Sequence, residues 1–179
     1  MDKILCFEYV LYQLSNWYKD IHPTDPTLSS FTRLKVLKLL FFVSAIHSDD
    51  KDDDLLDIFN NFYAMQHGPV ESDIYNAMVK STLKYYNFKS IYIQQVINPI
   101  NISCFNEINQ TLRDRIDTAI QSLRNKNEKL ITYTASNLVN LSHQWESWQI
   151  AMHIAESLGK GSEPMDISLI RSNCQYFSL

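Results

Sequence analysis

Glycine is scarce in this chain, and its scarcity excludes several classes of site. Three glycines occur among the 179 residues. The two in GKG at 159–161 lack the spacing of a phosphate-binding P-loop, and no serine lies in a GxSxG nucleophile elbow. The sequence therefore contains neither a glycine-rich phosphate loop nor the nucleophile motif of the α/β-hydrolases.

Cysteine is equally rare, and histidine is not clustered. Cys6, Cys104 and Cys174 are far apart and in no CxxC spacing, which is typical of a protein from a reducing compartment. The five histidines match no HExxH or Cys/His zinc-site spacing. We therefore expect no enzymatic activity, no cofactor and no metal ion.

Long apolar runs and a basic excess are also missing. The longest apolar run, LLFFV at 39–43, is far shorter than the ~20 residues of a membrane-spanning helix. Charged residues interrupt the N-terminal MDKILCFEYV, which does not resemble a signal peptide. The formal net charge is −4, and no basic recognition helix is evident, so nucleic acid is not the expected partner. These features predict a cytoplasmic protein without a membrane partner.

The chain does contain a succession of helical patterns. Apolar residues recur at three- and four-residue steps, and the second helix is predicted to begin near 28–31 with Ser29 or Ser30 as its cap. From Val36 onward that helix is apolar nearly all round, which is typical of a helix surrounded by others. The patterned segments are 2–20, 28–46, 72–83, 108–123, 130–141, 146–158 and 167–171.

These patterns predict one mainly α domain over residues 1–179, a bundle of about six helices. A small β element is expected near 60–66 and 91–97, where β-branched and aromatic residues accumulate. The last long helix contains the apolar residues Ile150, Ala151, Ile154, Ala155 and Leu158. We expect Ala151, Ile154 and Ala155 to pack inward together with Trp148.

An acidic stretch follows the second helix, with five aspartates between positions 49 and 54. An EF-hand loop in this register would need glycine and glutamate where the chain has Leu55 and Asn61. We expect instead a solvated acidic loop, which steers a basic partner toward the protein. The residues expected to steer are Asp52, Asp53 and Asp54.

The sequence HGPV at 67–70 separates an apolar segment from a helical one. Pro69 lacks a backbone N–H and disfavours helix in the residue before it, so no helix passes through this point. Gly68 is able to adopt backbone angles closed to other residues, or to let another segment approach closely. Glu71, Ser72 and Asp73 favour a helix start. We predict a sharp corner that starts a helix, for which a structural role is at least as well supported as a contact role.

Three segments contain distinctive motifs: LKVLKLLFFVSAIH at 34–47, FYAMQHGPVESDIY at 62–75 and LVNLSHQWESWQIA at 138–151. The first is a lysine- and leucine-rich helix with an aromatic end, the second a GPV motif before a tyrosine-bearing helix, and the third a Leu-Ser-His motif followed by tryptophan. Taken in order, they resemble the Panacea-domain, SocA-like antitoxin family of bacterial and phage toxin–antitoxin operons. The resemblance covers roughly residues 30–175 and leaves 1–20 as an extra N-terminal helix.

The resemblance implies the antitoxin of a type II toxin–antitoxin system, which neutralises a co-encoded protein toxin by direct binding or also presents it to a protease. The alternatives are a DNA-binding regulator of its own operon and a phage-associated interaction protein. Within the motifs, we expect Trp148 to anchor the core and His143 to be a buried hydrogen-bonding group that fixes the preceding helix end. The motif residues and candidate toxin contacts are His67, Gly68, Pro69, Val70, Tyr75, His143 and Trp148.

Overall fold

Helices and two small antiparallel sheets make up the fold. The computed structural model describes residues 2–25, 28–46, 54–97 and 99–172. Within these ranges the helices are α1 Lys3–Ile21, α2 Arg33–Ala45, α3 Ser72–Lys80, α4 Gln110–Lys126, α5 Ala135–Ser142, α6 Glu146–Ser157 and α7 Ile167–Ser172. The strands are β1 Phe62–Met65, β2 Gly68–Glu71, β3 Tyr86–Lys89, β4 Tyr92–Gln95 and β5 Ser162–Pro164. The predicted mainly α architecture is confirmed, with seven α-helices in the described ranges instead of about six.

The N-terminal helix α1 is a full part of the core. Asp2 caps it by accepting hydrogen bonds from Ile4 N and Leu5 N, and it ends before Pro23, as the sequence predicts. Eleven of its nineteen residues are buried. One of these is Glu8, whose carboxylate accepts hydrogen bonds from the backbone N–H groups of Tyr85 and Tyr86. The helix thereby satisfies backbone donors at the start of the β3–β4 hairpin.

The second helix, α2, is the centre of the bundle, and every residue from Lys35 to Ala45 is buried. The predicted start near 28–31 is wrong, because residues 28–31 form a turn closed by the bond from Phe31 N to Leu28 O. Thr32 is the N-cap in place of Ser29 or Ser30, and its Oγ1 accepts from Lys35 N at 3.2 Å.

Two separate sheets contain the predicted β segments. One has the strand order β2-β1-β5, and the other is the β3–β4 hairpin. The segments expected near 60–66 and 91–97 are both strands, but they lie in different sheets and do not pair with each other. Pro69 lies opposite Ala64 on the edge strand β2, where a missing N–H is tolerated.

The HGPV segment is a strand and not only a corner. The chain reverses at Gln66 and His67, and Gly68–Glu71 then runs back as β2. The change of direction into α3 comes at Glu71, the N-cap, whose carboxylate accepts from Ile74 N at 2.9 Å. The predicted helix start is therefore confirmed, and it follows directly on the end of a hairpin.

Helix α6 packs through its small residues. Ala151 and Ala155 are buried against the sheet of β1 and β5, whereas Ile150, Ile154 and Leu158 are exposed. The expectation of inward packing is therefore confirmed for Ala151 and Ala155 and wrong for Ile154, which is 42% exposed. Within the described ranges, no helix combines the length and apolarity needed to cross a membrane.

Candidate functional site

The three motif segments meet around the amine of Lys38. This lysine projects from the middle of α2, has 0% of its surface exposed, and donates a hydrogen bond from Nζ to the backbone oxygen of Pro69 at 2.5 Å. Its neighbours include Gly68 on β2 and Ser142 at the end of α5. The lysine therefore binds the hairpin to the centre of the bundle.

Gly68 is required here for two independent reasons. Its φ is +86°, a left-handed conformation that residues with a Cβ rarely adopt. A Cβ on Gly68 would overlap Ser142 Oγ and would lie 3.1 Å from both Cε and Nζ of Lys38. Both possibilities raised by the sequence, unusual backbone angles and close approach of another segment, are thus realised together.

Burial without a counter-ion sets the protonation of the two lysines of α2. Neither Lys38 nor Lys35 has a carboxylate within 4.0 Å in the part of the chain that the structure describes. Desolvation lowers the pKa of Lys38 to about 7 and that of Lys35 to about 8. Lys35 Nζ lies over the rings of Phe31 and Tyr18, at 5.2 and 5.8 Å from their centroids.

The lysine burial predicts a pH-dependent stability. The folded-state pKa of Lys38 is about 7, against an ordinary value of 10.5, so between these values the unfolded chain binds a proton that the folded chain has released. The free energy of unfolding should therefore rise with pH above 7, by up to about 1.4 kcal/mol per pH unit. Lys35, whose pKa is lowered to about 8, likewise makes the free energy of unfolding rise with pH above 8. Cys6, whose pKa is raised from 9.0 to about 11 by burial, opposes the rise above pH 9.

Urea unfolding at pH 7, 8 and 9 tests this expectation on the wild type, on Lys38→Met and on the exposed control Lys80→Met. The wild type and the control should become more stable between pH 7 and 8, while Lys38→Met should lose most of that rise. An equal rise in all three proteins would show that Lys38 keeps its proton inside the fold.

His143 and Trp148 together hold the hairpin turn. Their rings stack with centroids 3.8 Å apart and planes 7° from parallel. The indole Nε1 of Trp148 donates to Met65 O at 3.1 Å, and His143 hydrogen-bonds the backbone of Gln66. Burial, and then the charge of Lys38, lower the pKa of His143, while the bond to Gln66 opposes that shift. Trp148 packs against the core as expected, and His143 fixes the hairpin turn as well as ending α5.

A second tryptophan of the same motif, Trp145, is the larger core anchor. It is 1% exposed, and its ring lies 5.1 and 5.5 Å from those of Phe41 and Phe42. Phe41 in turn makes an edge contact with Phe62 of β1. Sequence reasoning selected Trp148 and overlooked Trp145, although both stand in the same short segment.

Above this cluster, the surface opens into a groove of about 580 Å³, which we call the hairpin groove. It lies where α2, the β1–β2 hairpin, α3 and the residues leading into β4 and β5 come together. Two exposed apolar residues line it, Tyr75 and Ile91. Two more exposed apolar residues are their neighbours in the chain: Val79 follows Tyr75 by one turn of α3, and Tyr92 follows Ile91 directly. The lining residues are Arg33, Leu34, Leu37, Met65, Gln66, His67, Val70, Tyr75, Ile91, Gly161 and Ser162.

The predicted motif residues thus fall in two layers. Gly68 and Pro69 are buried beneath the surface with the half-buried pair His143 and Trp148, and they shape the hairpin. The groove above is lined by His67, Val70 and Tyr75.

Sequence reasoning missed Lys38, Ser142 and the α2 side of the groove. The sequence did contain one indication that Lys38 is buried. A lysine in a helix that is apolar on nearly all sides is surrounded by residues that pack into the core.

Of the acidic residues expected to steer a partner, the structure describes Asp54, and this carboxylate is neutralised within the fold. Asp54 is 1% exposed and accepts from Arg171 Nε at 2.6 Å, while Arg115 donates to its backbone oxygen. Asp54 therefore does not belong to a solvated loop, and that expectation is wrong for this residue. Lys3 bridges Glu71 and Asp73 at 2.8 and 2.7 Å. Asp52 and Asp53 lie outside the described residues.

Comparison with known protein families agrees with this assembly of motifs. The family model described as "Antitoxin SocA-like, Panacea domain" matches residues 36–149, which begin inside α2 and end in α6. The matched region contains Lys38, the HGPV hairpin and the His143–Trp148 pair, while α1 lies outside it. No curated protein and no solved structure matches the chain. The match spans more than half of the chain, and the protein belongs to the SocA-like antitoxin family with the Panacea domain.

Proposed function

We propose that this protein is the antitoxin of a type II toxin–antitoxin system and neutralises a co-encoded protein toxin by binding it at the hairpin groove. Membership of the SocA-like family supports a toxin partner in general. In this proposal the protein acts by binding and not by catalysis. Neutralisation then consists of covering the toxin's active surface, and delivery of the bound toxin to a protease is a compatible second step.

The observation that carries the proposal is the exposure of large apolar side chains around a concave surface built by the family motifs. Tyr75 and Val79 are 39% and 51% exposed and lie one turn apart on α3, so they form one face. Ile91, which is 50% exposed, also lines the groove, and the next residue, Tyr92, is 51% exposed. Clustered apolar exposure rimmed by polar residues marks a protein-binding surface, and tyrosine is enriched in such surfaces.

The exposed stripe of α6 is the competing surface. Ile150, Ile154 and Leu158 follow one another at intervals of four residues and are also solvent-exposed. The hairpin groove is favoured because it is concave, whereas the stripe lies on a convex helix, and binding pockets bury more apolar area per contact residue. The stripe provides a matched control of similar chemistry.

Co-expression with the adjacent gene tests the function. We expect the adjacent gene product alone to arrest growth, and the wild-type protein to restore growth and to co-purify with it. Tyr75→Glu combined with Val79→Glu should abolish both effects, because two charges would be desolvated in an apolar interface. Ile150→Glu combined with Ile154→Glu should leave both effects intact. Circular dichroism and urea unfolding of each variant confirm that the fold is retained.

The possible outcomes test the antitoxin function and the choice of binding surface separately. A harmless adjacent product, or a pair that never co-purifies, would overturn the antitoxin proposal. If the α6 variant loses neutralisation and the groove variant keeps it, the toxin binds α6 and the groove assignment is wrong. A mobility shift with the protein's own promoter DNA would favour the regulator alternative, for which the net charge of −4 offers little support.

A further inference from the structure

One cation lines the hairpin groove without a counter-ion. Arg33 is the first residue of α2, and its side chain is half-buried in the groove wall. Its Nη2 donates to Ser90 O at 2.7 Å, and its Nε is buried without a hydrogen-bond partner. Across the described ranges, no carboxylate lies within 4.0 Å of this guanidinium. Among the described residues, the protein itself therefore does not neutralise the charge of this guanidinium.

The local structure gives little reason for a cation at this position. A positive charge in the first turn opposes the helix dipole, and no acidic residue in the first turn of α2 offsets it. Three other arginines each bind a carboxylate; they are Arg115, Arg124 and Arg171. A half-buried guanidinium that has no carboxylate partner among the described residues is well suited to bind one, because its charge and its planar shape match that group.

The charge of the groove also differs in sign from that of the whole chain. Among the described residues, its lining includes Arg33 and His67 but no aspartate or glutamate, although the protein carries a net charge of −4. The positive end of the α2 dipole adds to the potential at Arg33. A basic anchor residue from a partner would be repelled at this end of the groove, whereas an acidic one would be attracted.

We propose that the toxin inserts a bulky apolar side chain between Leu34, Leu37 and Val70 and presents a neighbouring aspartate or glutamate carboxylate to Arg33. This inference rests on the proposed function and names the chemistry of the toxin segment that binds. The apolar side chain supplies buried area, and the carboxylate fixes the orientation of the segment. The groove volume of about 580 Å³ falls within the ~300–1,000 Å³ of typical ligand pockets.

Titration calorimetry with the purified product of the adjacent gene tests the inference. Arg33→Gln should weaken binding roughly 10- to 100-fold, as expected for loss of a charge-assisted hydrogen bond. Arg33→Lys, which keeps the charge, should recover part of that loss at low salt. The control Arg113→Gln should stay within about two-fold of the wild type. Arg113 is matched, since it also has a buried Nε and no ion pair among the described residues, but it does not line the hairpin groove.

A double-mutant cycle identifies the partner group. Each aspartate and glutamate of the adjacent gene product is replaced by its amide and tested against wild-type protein and Arg33→Gln. One amide variant should weaken binding to the wild type yet add no further loss with Arg33→Gln. If Arg33→Gln binds like the wild type, or if no acidic residue couples to it, the inference is overturned while the antitoxin function stands. If the wild type itself does not bind, the proposed function fails, and the inference fails with it.

Discussion

Gly68→Ala should lower the free energy of unfolding by about 2–4 kcal/mol, although it adds a single methyl group. One part of the cost is the left-handed backbone at φ +86°. The other part is the overlap of the new Cβ with Ser142 Oγ and its close contact with the Lys38 side chain. Lys38 is long enough to shift, but a shift would weaken its bond to Pro69 O. Urea unfolding measures the sum of the backbone strain and the steric overlap.

Two glycines and one serine of the same chain allow these costs to be separated. Gly159 also has a positive φ, +66°, but a Cβ there would meet nothing within 4 Å, so Gly159→Ala should cost only the backbone strain of about 1–2 kcal/mol. Gly161 has neither constraint, and Gly161→Ala should be close to neutral. Combining Gly68→Ala with Ser142→Ala should cost less than the sum of the single changes, because the overlapping oxygen is gone. Strict additivity would contradict the predicted overlap with Ser142 and leave backbone strain and the contact with Lys38 as the sources of the cost.

The sequence predicted elements well where local chemistry defines them. Helix α1 ends before Pro23, as the sequence predicts, and α6 ends at Ser157, within one residue of the predicted end and shortly before Gly159 with its positive φ. The start of α2 was misplaced because Ser29, Ser30 and Thr32 are all competent caps. The choice among them depends on the tertiary path of residues 28–31, which no local pattern encodes.

Side-chain burial was harder to predict than element type. Helical periodicity predicted Ile154 on the inward side of α6 together with Ala151 and Ala155, but of these three the two alanines are buried and Ile154 is exposed. The same limit applies to Asp54, whose cation Arg171 comes from a helix more than a hundred residues away. Long-range partners of this kind are fixed by topology, and a single sequence does not reveal them.

For the candidate site, the sequence indicated the motif residues, but it did not show which of them are buried beneath the surface and which line the groove. Composition and spacing do not distinguish a glycine needed for packing, such as Gly68, from a tyrosine left exposed, such as Tyr75. Arg33 lies outside the three motif segments. Its significance emerges only from three-dimensional facts: a half-buried guanidinium, an apolar groove and the lack of a carboxylate nearby in the described residues.

Glu71→Ala should be the second severe substitution, with a loss of about 3–5 kcal/mol in the free energy of unfolding. The Glu71 side chain is 0% exposed and has three kinds of partner. It caps α3 through Ile74 N, accepts from Asn61 N at 3.2 Å before β1, and binds Lys3 at 2.8 Å on α1. Its removal would leave buried donors unpaired at the junction of the hairpin, α3 and α1.

Asp73→Asn is the matched control, since Asp73 binds the same Lys3 Nζ but is 46% exposed. We expect it to cost at most about 1 kcal/mol, the usual value of a surface ion pair. Lys3→Met should fall between the two, because Glu71 would lose its cation but keep both backbone donors. This order of effects, measured by urea unfolding, would show that α1, although outside the region matched by the family model, holds the motif hairpin in place. Equal, small losses for all three variants would instead mean that the junction is solvated and that α1 is an accessory to the domain.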